Sequence, residues 1–366
     1  MNPRERVMAV LNGEEPDKTP IIAFDFTRIG SQGGWLRRLT KRGLGIARFV
    51  SPYRPTYWKR GDYGDMNFHL PNVKYTQTYY VEEGLRKIRH FLETPVGTVA
   101  GIIAMNPVGE IPLLRGAQQE YFVKERSDWR VMNYIFKGIL NNLSPNYEAF
   151  KREEDELGDT GVCYGFVEKT PFQRAWVELA SLERAIIDFE EKPEELQEFL
   201  EIQKQLHVRQ AEIAAESPIT FIDILEHVTS VISPRYYREY CLPYYEIYRK
   251  ALEGTGKLLG AHMDGQFGHL KQEISQSPLN VIESFTVPPV GDVSIKEAKS
   301  LWPGKILFIN CPPHVNNGTP EEVRSAYEAI LEENGGKKGL LIEHSEDMPL
   351  DKIETNLSIA LDVFGY

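Results

Sequence analysis

The chain has 366 residues, 42% hydrophobic and 26% charged, an ordinary composition for a protein that buries a large core. A formal net charge of -11 with no dense Lys/Arg run excludes a phosphate backbone or an anionic membrane surface as a partner. No apolar segment reaches the roughly 20 residues that cross a bilayer, and the opening Met1-Asn-Pro-Arg-Glu-Arg6 lacks a secretory stretch, so a cytoplasmic location is expected.

Pro3 to Leu11 has the pattern of a short amphipathic helix, and the Gly13 to Pro20 segment forces a turn. Ile21-Ile-Ala-Phe24 is the first strand, ending on Asp25. From Arg28 to Gly45 the chain is Gly-broken and basic, which predicts a loop and a helix over the mouth of the fold. Val73 to Ala104 alternates polar and apolar, predicting antiparallel strands over Tyr75–Tyr80, Leu85–Leu92 and Val96–Ala104 with turns at Glu83-Gly84 and Thr94-Pro-Val-Gly97. Too few strands are present there for an independent core, so the segment is an excursion from the main sheet.

Helices over Glu125–Leu140 and Asn146–Leu157 precede a core strand, Gly161–Phe166. Helix and strand then alternate regularly. Helices Leu182–Phe189 and Pro193–Ala215 lead to a strand from Thr220 that runs out through Asp223, Glu226 and His227. Pro234–Leu252 is predicted as one helix with Ser233 as its N-cap. Lys257-Leu-Leu-Gly-Ala-His262-Met-Asp264-Gly265 is a short apolar run that stops on an imidazole and a carboxylate, with a helical pattern following from Gln266 to Ile274. Strands at Val281–Phe285, Ile306–Ile309 and Gly339–Ile342 alternate with helices at Ser294–Leu301, Pro320–Glu333 and Asp351–Val363. Serial β-α units without a Gly-x-Gly-x-x-Gly motif predict an α/β fold, a (β/α)8 TIM-type barrel formed as a single domain of residues 1–366, with an inserted antiparallel hairpin layer near the N-terminus at about residues 73–104.

The strand ends repeat one signature: Asp25; Asp223, Glu226 and His227; His262 and Asp264; Glu283; Asn310 and Cys311; Glu343, His344 and Glu346. A barrel gathers such ends at one mouth, so Asp25, Asp223, Glu226, His227 and Asp264 are the candidate catalytic residues. Two chemistries are open. His262, Glu346 and either Asp264 or His227 suit a zinc ion that keeps a position free for a thiol or water. Alternatively, Asp25 or Asp223 steers proton transfer without a metal. Structural roles compete with both: His262 as a core histidine bonded to backbone, Asp264 as an N-cap. A barrel that binds a small ligand without catalysis is the third reading. Cys163, Cys241 and Cys311 are too scattered for a disulfide framework or a Cys-x-x-Cys zinc motif, and Cys311 has the setting of a small buried hydrophobe.

Four stretches carry a resemblance: Arg4 to Pro20 (Arg4-Glu-Arg-Val-Met-Ala-Val-Leu-Asn-Gly13 onward), Ile232-Ser-Pro-Arg-Tyr-Tyr-Arg-Glu-Tyr-Cys-Leu-Pro243, His262-Met-Asp264-Gly265 and Gly318-Thr-Pro-Glu-Glu-Val323. In these the chain resembles the uroporphyrinogen decarboxylase superfamily, which includes zinc-dependent methyltransferases that exchange methyl groups with corrinoid proteins or thiols. The resemblance implies an enzyme of this barrel fold: a methyltransferase acting on a small methyl donor or acceptor, with zinc as cofactor and a corrinoid carried by a partner protein, or else a decarboxylase or lyase. A homodimer is left open. The methyltransferase motif is His-x-Cys with a second cysteine beyond the last strand, whereas this chain has Asp264 and the His344-Ser-Glu346 segment at those places. Porphyrinogen decarboxylases carry an arginine-rich segment around a central aspartate after the first strand, where this chain has Asp25, Arg28, Gly30, Gly34, Arg37 and Arg38.

Overall fold

The structure, a computed structural model, describes residues 1–24, 34–57, 69–104, 117–311, 313–344, 348–349 and 351–366. Eight parallel strands close a barrel: β1 (Ile21–Phe24), β2 (Gly45–Val50), β9 (Gly161–Val167), β10 (Phe221–Ile224), β11 (Leu258–His262), β12 (Val281–Thr286), β13 (Ile306–Asn310) and β14 (Leu340–His344). Around the barrel they run β1-β14-β13-β12-β11-β10-β9-β2. Strands covered on both faces become continuous apolar runs, and β1, β9, β10 and β12–β14 are buried at every position.

Alternation along each strand sorts side chains into two cores. Ile22, Ala47, Val162, Phe221, Val281, Ile306 and Leu341 fill the barrel interior, while Ile222, Leu259, Ile282, Leu307 and Ile342 pack outward against the helices. The N-terminal end of the barrel is closed by the helix Pro3–Leu11, whose Val7, Val10 and Leu11 join the interior cluster. Each such side chain contributes about 1.5–3 kcal/mol on burial. A capping box starts that helix: Asn2 Oδ1 accepts from the Glu5 N–H and Glu5 Oε2 from the Asn2 N–H, both at 2.8 Å. At the β2–β9 seam a Cβ on Gly161 would stand 2.0 Å from the Ile46 carbonyl oxygen, so this close strand approach admits only glycine.

Outside the barrel lie a two-residue pair, β3 (Tyr53–Arg54) with β8 (Ser144–Pro145), and an antiparallel sheet β4 (Lys74–Glu82), β5 (Leu85–Thr94), β6 (Gly97–Ala104) and β7 (Ala117–Glu120) in that order. Leu92 and Val99 of this sheet share the outer core with Trp129 and Phe136 of the helix Asp128–Asn142, so the excursion packs on the barrel's helical layer.

The expected barrel and antiparallel layer are present, with some differences. Strand β2 begins at Gly45, where the expected loop and helix end, in a segment to which no element was assigned; the β3–β8 pair was not expected, and β7 adds a fourth strand to the excursion. The single helix expected over Pro234–Leu252 is two, Pro234–Tyr240 and Leu242–Ala251, meeting at Cys241. Pro243 has no N–H to continue the ladder from the first helix, and the chain restarts there with proline in the first turn. Among the described residues no helix is long and apolar enough to cross a membrane.

Candidate active site

The inward phase that places Phe221, Val281, Phe308 and Leu341 in the apolar floor places Asp223, Glu283, Asn310 and Glu343 two residues further along, at the C-terminal end of the interior. His262 follows in the same phase on β11. In β12 a bulge occurs between Ile282 and Phe285, with Ser284 at φ 62°. This leaves Glu283 facing the barrel axis while Phe285 turns into the outer core. Asn310 Nδ2 donates to Ser284 Oγ at 2.9 Å and holds the bulge from the neighbouring strand.

His262 is the hub of the site. Its Nδ1 donates to Glu283 Oε2 at 2.5 Å, and its Nε2 stands 3.9 Å from Asp264 Oδ2. Asp264 Oδ1 is buried with no hydrogen-bond partner, and His227 Nδ1 lies 3.7 Å from it. The His227 ring packs on Trp176 with centroids 5.4 Å apart. Burial alone would push the His262 pKa down, but Glu283 and Asp264 outweigh it and hold the imidazole well above its usual value. Asp264 is held at about 2: burial opposes its ionisation, and His262 and His227 more than compensate.

Deeper in the barrel, Asp223 is fully buried and neither carboxyl oxygen has a hydrogen-bond partner. Burial, then the neighbouring Glu283, push its pKa well up, and the same two causes act on Glu343. Both are thereby displaced toward the protonated, neutral form. The Tyr164 ring stands among Phe24, Phe49, Phe221 and Phe308, with a hydroxyl that has no hydrogen-bond partner and feels Glu343, Glu283 and Asp223. Glu226, just past β10, is raised to about 7 by burial, although Thr170, Lys169 and Tyr245 partly relieve it.

The structure thus brings together Asp223, His262, Asp264, Glu283 and Glu343, with Glu226 and His227 at the edge. His344 is not among them: one residue beyond Glu343 it points outward, where its Nε2 meets the Tyr327 hydroxyl at 2.9 Å, and burial lowers its pKa to about 3. Cys311 is buried on the outer side, among the apolar residues there. Asp25 and Glu346 lie outside the described residues. Sequence reading missed Tyr164 and Trp176. The first is hidden in an apolar strand; the second sits on the turn Ala175–Leu179, a π-helical segment of the kind often found beside functional sites.

Among the described residues no group of three or more His, Cys, Asp and Glu is arranged to hold a metal ion. His262 and Asp264 are nevertheless a chemically suitable pair, an imidazole nitrogen and a carboxylate with an unsatisfied oxygen, and Glu283 fixes the imidazole from behind as carboxylates do for metal-bound histidines. Among the described residues, the cations near the mouth face glutamates: Lys169 Nζ is 3.0 Å from Glu178 and the buried Arg174 3.3 Å from Glu168, while Arg174 Nε and Nη1 have no hydrogen-bond partner.

The sequence profile of the family described as Uroporphyrinogen decarboxylase (URO-D) matches residues 116–363. Among solved structures, a methyltransferase from Methanosarcina mazei superposes with a TM-score of 0.58 at 14% identity, covering 99% of this chain and 98% of that one. This likeness concerns the fold. A sugar phosphate isomerase/epimerase from Parabacteroides distasonis ATCC 8503 gives a TM-score of 0.42 at 10% identity, covering 95% and 96%, too distant to carry an inference. No curated protein matches the sequence.

Proposed function

Because the chain belongs to the uroporphyrinogen decarboxylase family, we propose that it is an enzyme of the methyltransferase type, moving a methyl group between a small molecule and a thiol or a corrinoid carried by a partner protein. His262 and Asp264 would hold a zinc ion, with Glu346 as the third ligand implied by the sequence. The observation that carries this reading is the line Glu283, His262, Asp264, in which one ring nitrogen is fixed by a buried carboxyl and the other is left facing a carboxylate. Such an ion supplies Lewis acidity that makes a thiol or water nucleophilic at neutral pH.

The chain's own groups have separate tasks in this scheme. Glu283 orients the imidazole. Asp223 keeps a proton on a carboxyl with no internal partner, available to a heteroatom that loses its methyl group and must be protonated as it leaves. The apolar floor below excludes water. Displaced protonation of several mouth groups supports catalysis over passive ligand binding.

The same protonated Asp223 favours a second reading, a metal-independent lyase or decarboxylase in which Asp223 protonates a carbanion, with Asp25 as its expected partner. A polyanionic substrate such as a porphyrinogen would have to draw Lys169 and Arg174, the cations described near the mouth, from Glu178 and Glu168. Metal analysis of protein equilibrated with zinc, beside a His262→Ala variant, separates the readings. Stoichiometric zinc lost in the variant is expected; wild-type protein that stays metal-free removes the metal mechanism.

A further inference from the structure

Asp264 carries a competing expectation, that of an N-cap, and the structure gives that task to another residue. Beyond β11 the chain turns at Gly265 and enters the 3₁₀ turn Gly268–Leu270, which runs on into the helix Lys271–Gln276. The first N–H groups of such an entry have no partner within it and need an acceptor from outside. Asp264 stands three residues before Phe267, the position from which an N-cap carboxylate takes an N–H. Its Oδ1 is nevertheless buried with no hydrogen-bond partner. The Phe267 and Gly268 N–H groups donate instead to Asp292 Oδ1, at 3.0 and 2.8 Å, and Asp292 belongs to the loop that follows β12.

Close packing of the two loops makes this possible. A Cβ on Gly268 would stand 2.8 Å from Asp292 Oδ2, and one on Gly291 would stand 1.8 Å from the Thr286 carbonyl oxygen and 3.4 Å from that of Gly265. The loop carrying Asp292 therefore folds back on itself and lies against the turn behind Asp264. On the other flank, His269 Nε2 donates to the Ile232 carbonyl oxygen at 2.7 Å, which ties the same turn to the loop after β10. Toward the core, Phe267 is buried against Phe285 and Trp302, with ring centroids 5.9 and 6.3 Å away. None of these anchors uses the Asp264 side chain.

We propose that Asp292 is a positioning residue: by capping the turn in place of Asp264, it leaves that carboxylate facing His262 Nε2 at 3.9 Å and His227 Nδ1 at 3.7 Å. Without the Asp292 acceptor, two orphaned N–H groups lie three and four residues past Asp264, and its carboxylate is drawn toward them and away from the imidazoles. The consequence for a metal rests on the reading of His262 and Asp264 as zinc ligands; the cap itself does not.

Hydrogen–deuterium exchange of the full-length, metal-free protein tests the cap at the Phe267 and Gly268 amides. Asp292 is exposed, and His269 and Phe267 keep the turn anchored, so Asp292→Ala is expected to fold. It should exchange there about tenfold faster or more, whereas Asp292→Asn, whose Oδ1 accepts the same two bonds, should keep most of the protection. Asp264→Ala alone should change nothing, and the double variant Asp292→Ala with Asp264→Ala should exchange faster than Asp292→Ala, because the replacement cap is gone. Unchanged exchange in Asp292→Ala, deprotection by Asp264→Ala alone, or equal exchange in Asp292→Ala and the double variant overturns the proposal. Zinc affinity of the same proteins keeps the two ideas apart. Asp292→Ala should bind zinc 10–100-fold more weakly, with Asp292→Asn close to wild type. Wild-type protein that takes up no zinc sinks only the metal mechanism, while the exchange pattern alone decides whether Asp292 holds Asp264 in place.

Discussion

Glu283 Oε2 and His262 Nδ1 meet at 2.5 Å across adjacent strands, β12 and β11, in register opposite each other. The contact forces the ring to present Nε2 to Asp264, and it exists because both residues share the inward phase of their strands. Replacing Glu283 by Gln keeps the shape and removes the charge that holds the imidazole. The expected outcome is a 10–100-fold loss of zinc affinity, read by competition with a chromophoric chelator, with little change in the far-ultraviolet circular dichroism. Unchanged affinity would mean that His262 is a core histidine.

Asp223→Asn should separate stability from function. In the folded protein the carboxyl stays protonated well above its usual pKa, whereas in the unfolded chain it ionises near 3.8, so stability is lost as pH rises beyond that value. Asparagine removes this loss while keeping the volume. The variant should melt higher than wild type at pH 8 and about the same at pH 3. If Asp223 supplies the proton described above, transfer of a methyl group from a small methyl ether or thioether to free cob(I)alamin, which leaves an alkoxide or thiolate to be protonated, should fall by about 100-fold or more. A variant that is both less stable at pH 8 and fully active would contradict the assignment.

How far the sequence carried the architecture can be judged from β2. Seven of the barrel strands were legible as short apolar runs between helical patterns, but Gly45-Ile-Ala-Arg48-Phe-Val50 was not. Its Arg48 interrupts the run, and only the fold shows why it is tolerated: it leaves the barrel on the outward phase and bonds Glu153 and Glu156 of the helix Tyr147–Leu157 at 2.6 and 2.9 Å. The acids and imidazoles of the mouth were visible as strand-end residues, whereas their division was not. Glu343 and His344 are adjacent in the chain, yet one lies inside the barrel and the other outside it, a distinction that depends on strand phase to a single residue. Tyr164 was invisible for the converse reason, since an aromatic residue in an apolar strand is indistinguishable from core until its hydroxyl is located.

Glu226 offers a pH-resolved prediction. Burial lifts its pKa from 4.5 to about 7, so the folded state keeps a proton that the unfolded chain releases between those values. Its contribution to stability is therefore present below 4.5 and is lost as pH rises to about 7, amounting at most to on the order of 3 kcal/mol. Glu226→Gln should be stabilised relative to wild type at pH 8 and indistinguishable from it at pH 4 in urea titrations. The opposite sign would show that Glu226 is ionised in the fold and held by Lys169.

His207 makes the mirror-image case, away from the mouth. It is fully buried, with Nδ1 3.2 Å from the Tyr248 hydroxyl and Nε2 3.2 Å from the Lys169 carbonyl oxygen. Burial, with Arg174 nearby, drives its pKa from 6.5 to about 3. The folded protein refuses a proton that the unfolded chain accepts, so the stability tied to this residue is complete above 6.5 and is lost as pH falls toward 3. At about 1.4 kcal/mol per unit, the loss between pH 7 and pH 4 is on the order of 3 kcal/mol. His207→Gln can still bond both partners but does not titrate. Other groups acidify both proteins alike, so the difference between their stability curves isolates His207: the variant should lose less stability over that interval, whatever its standing at pH 7. Parallel curves from pH 7 to pH 4 would mean that His207 reaches solvent and is protonated without unfolding, and the packing of Tyr248 and Lys169 around it would have to be abandoned.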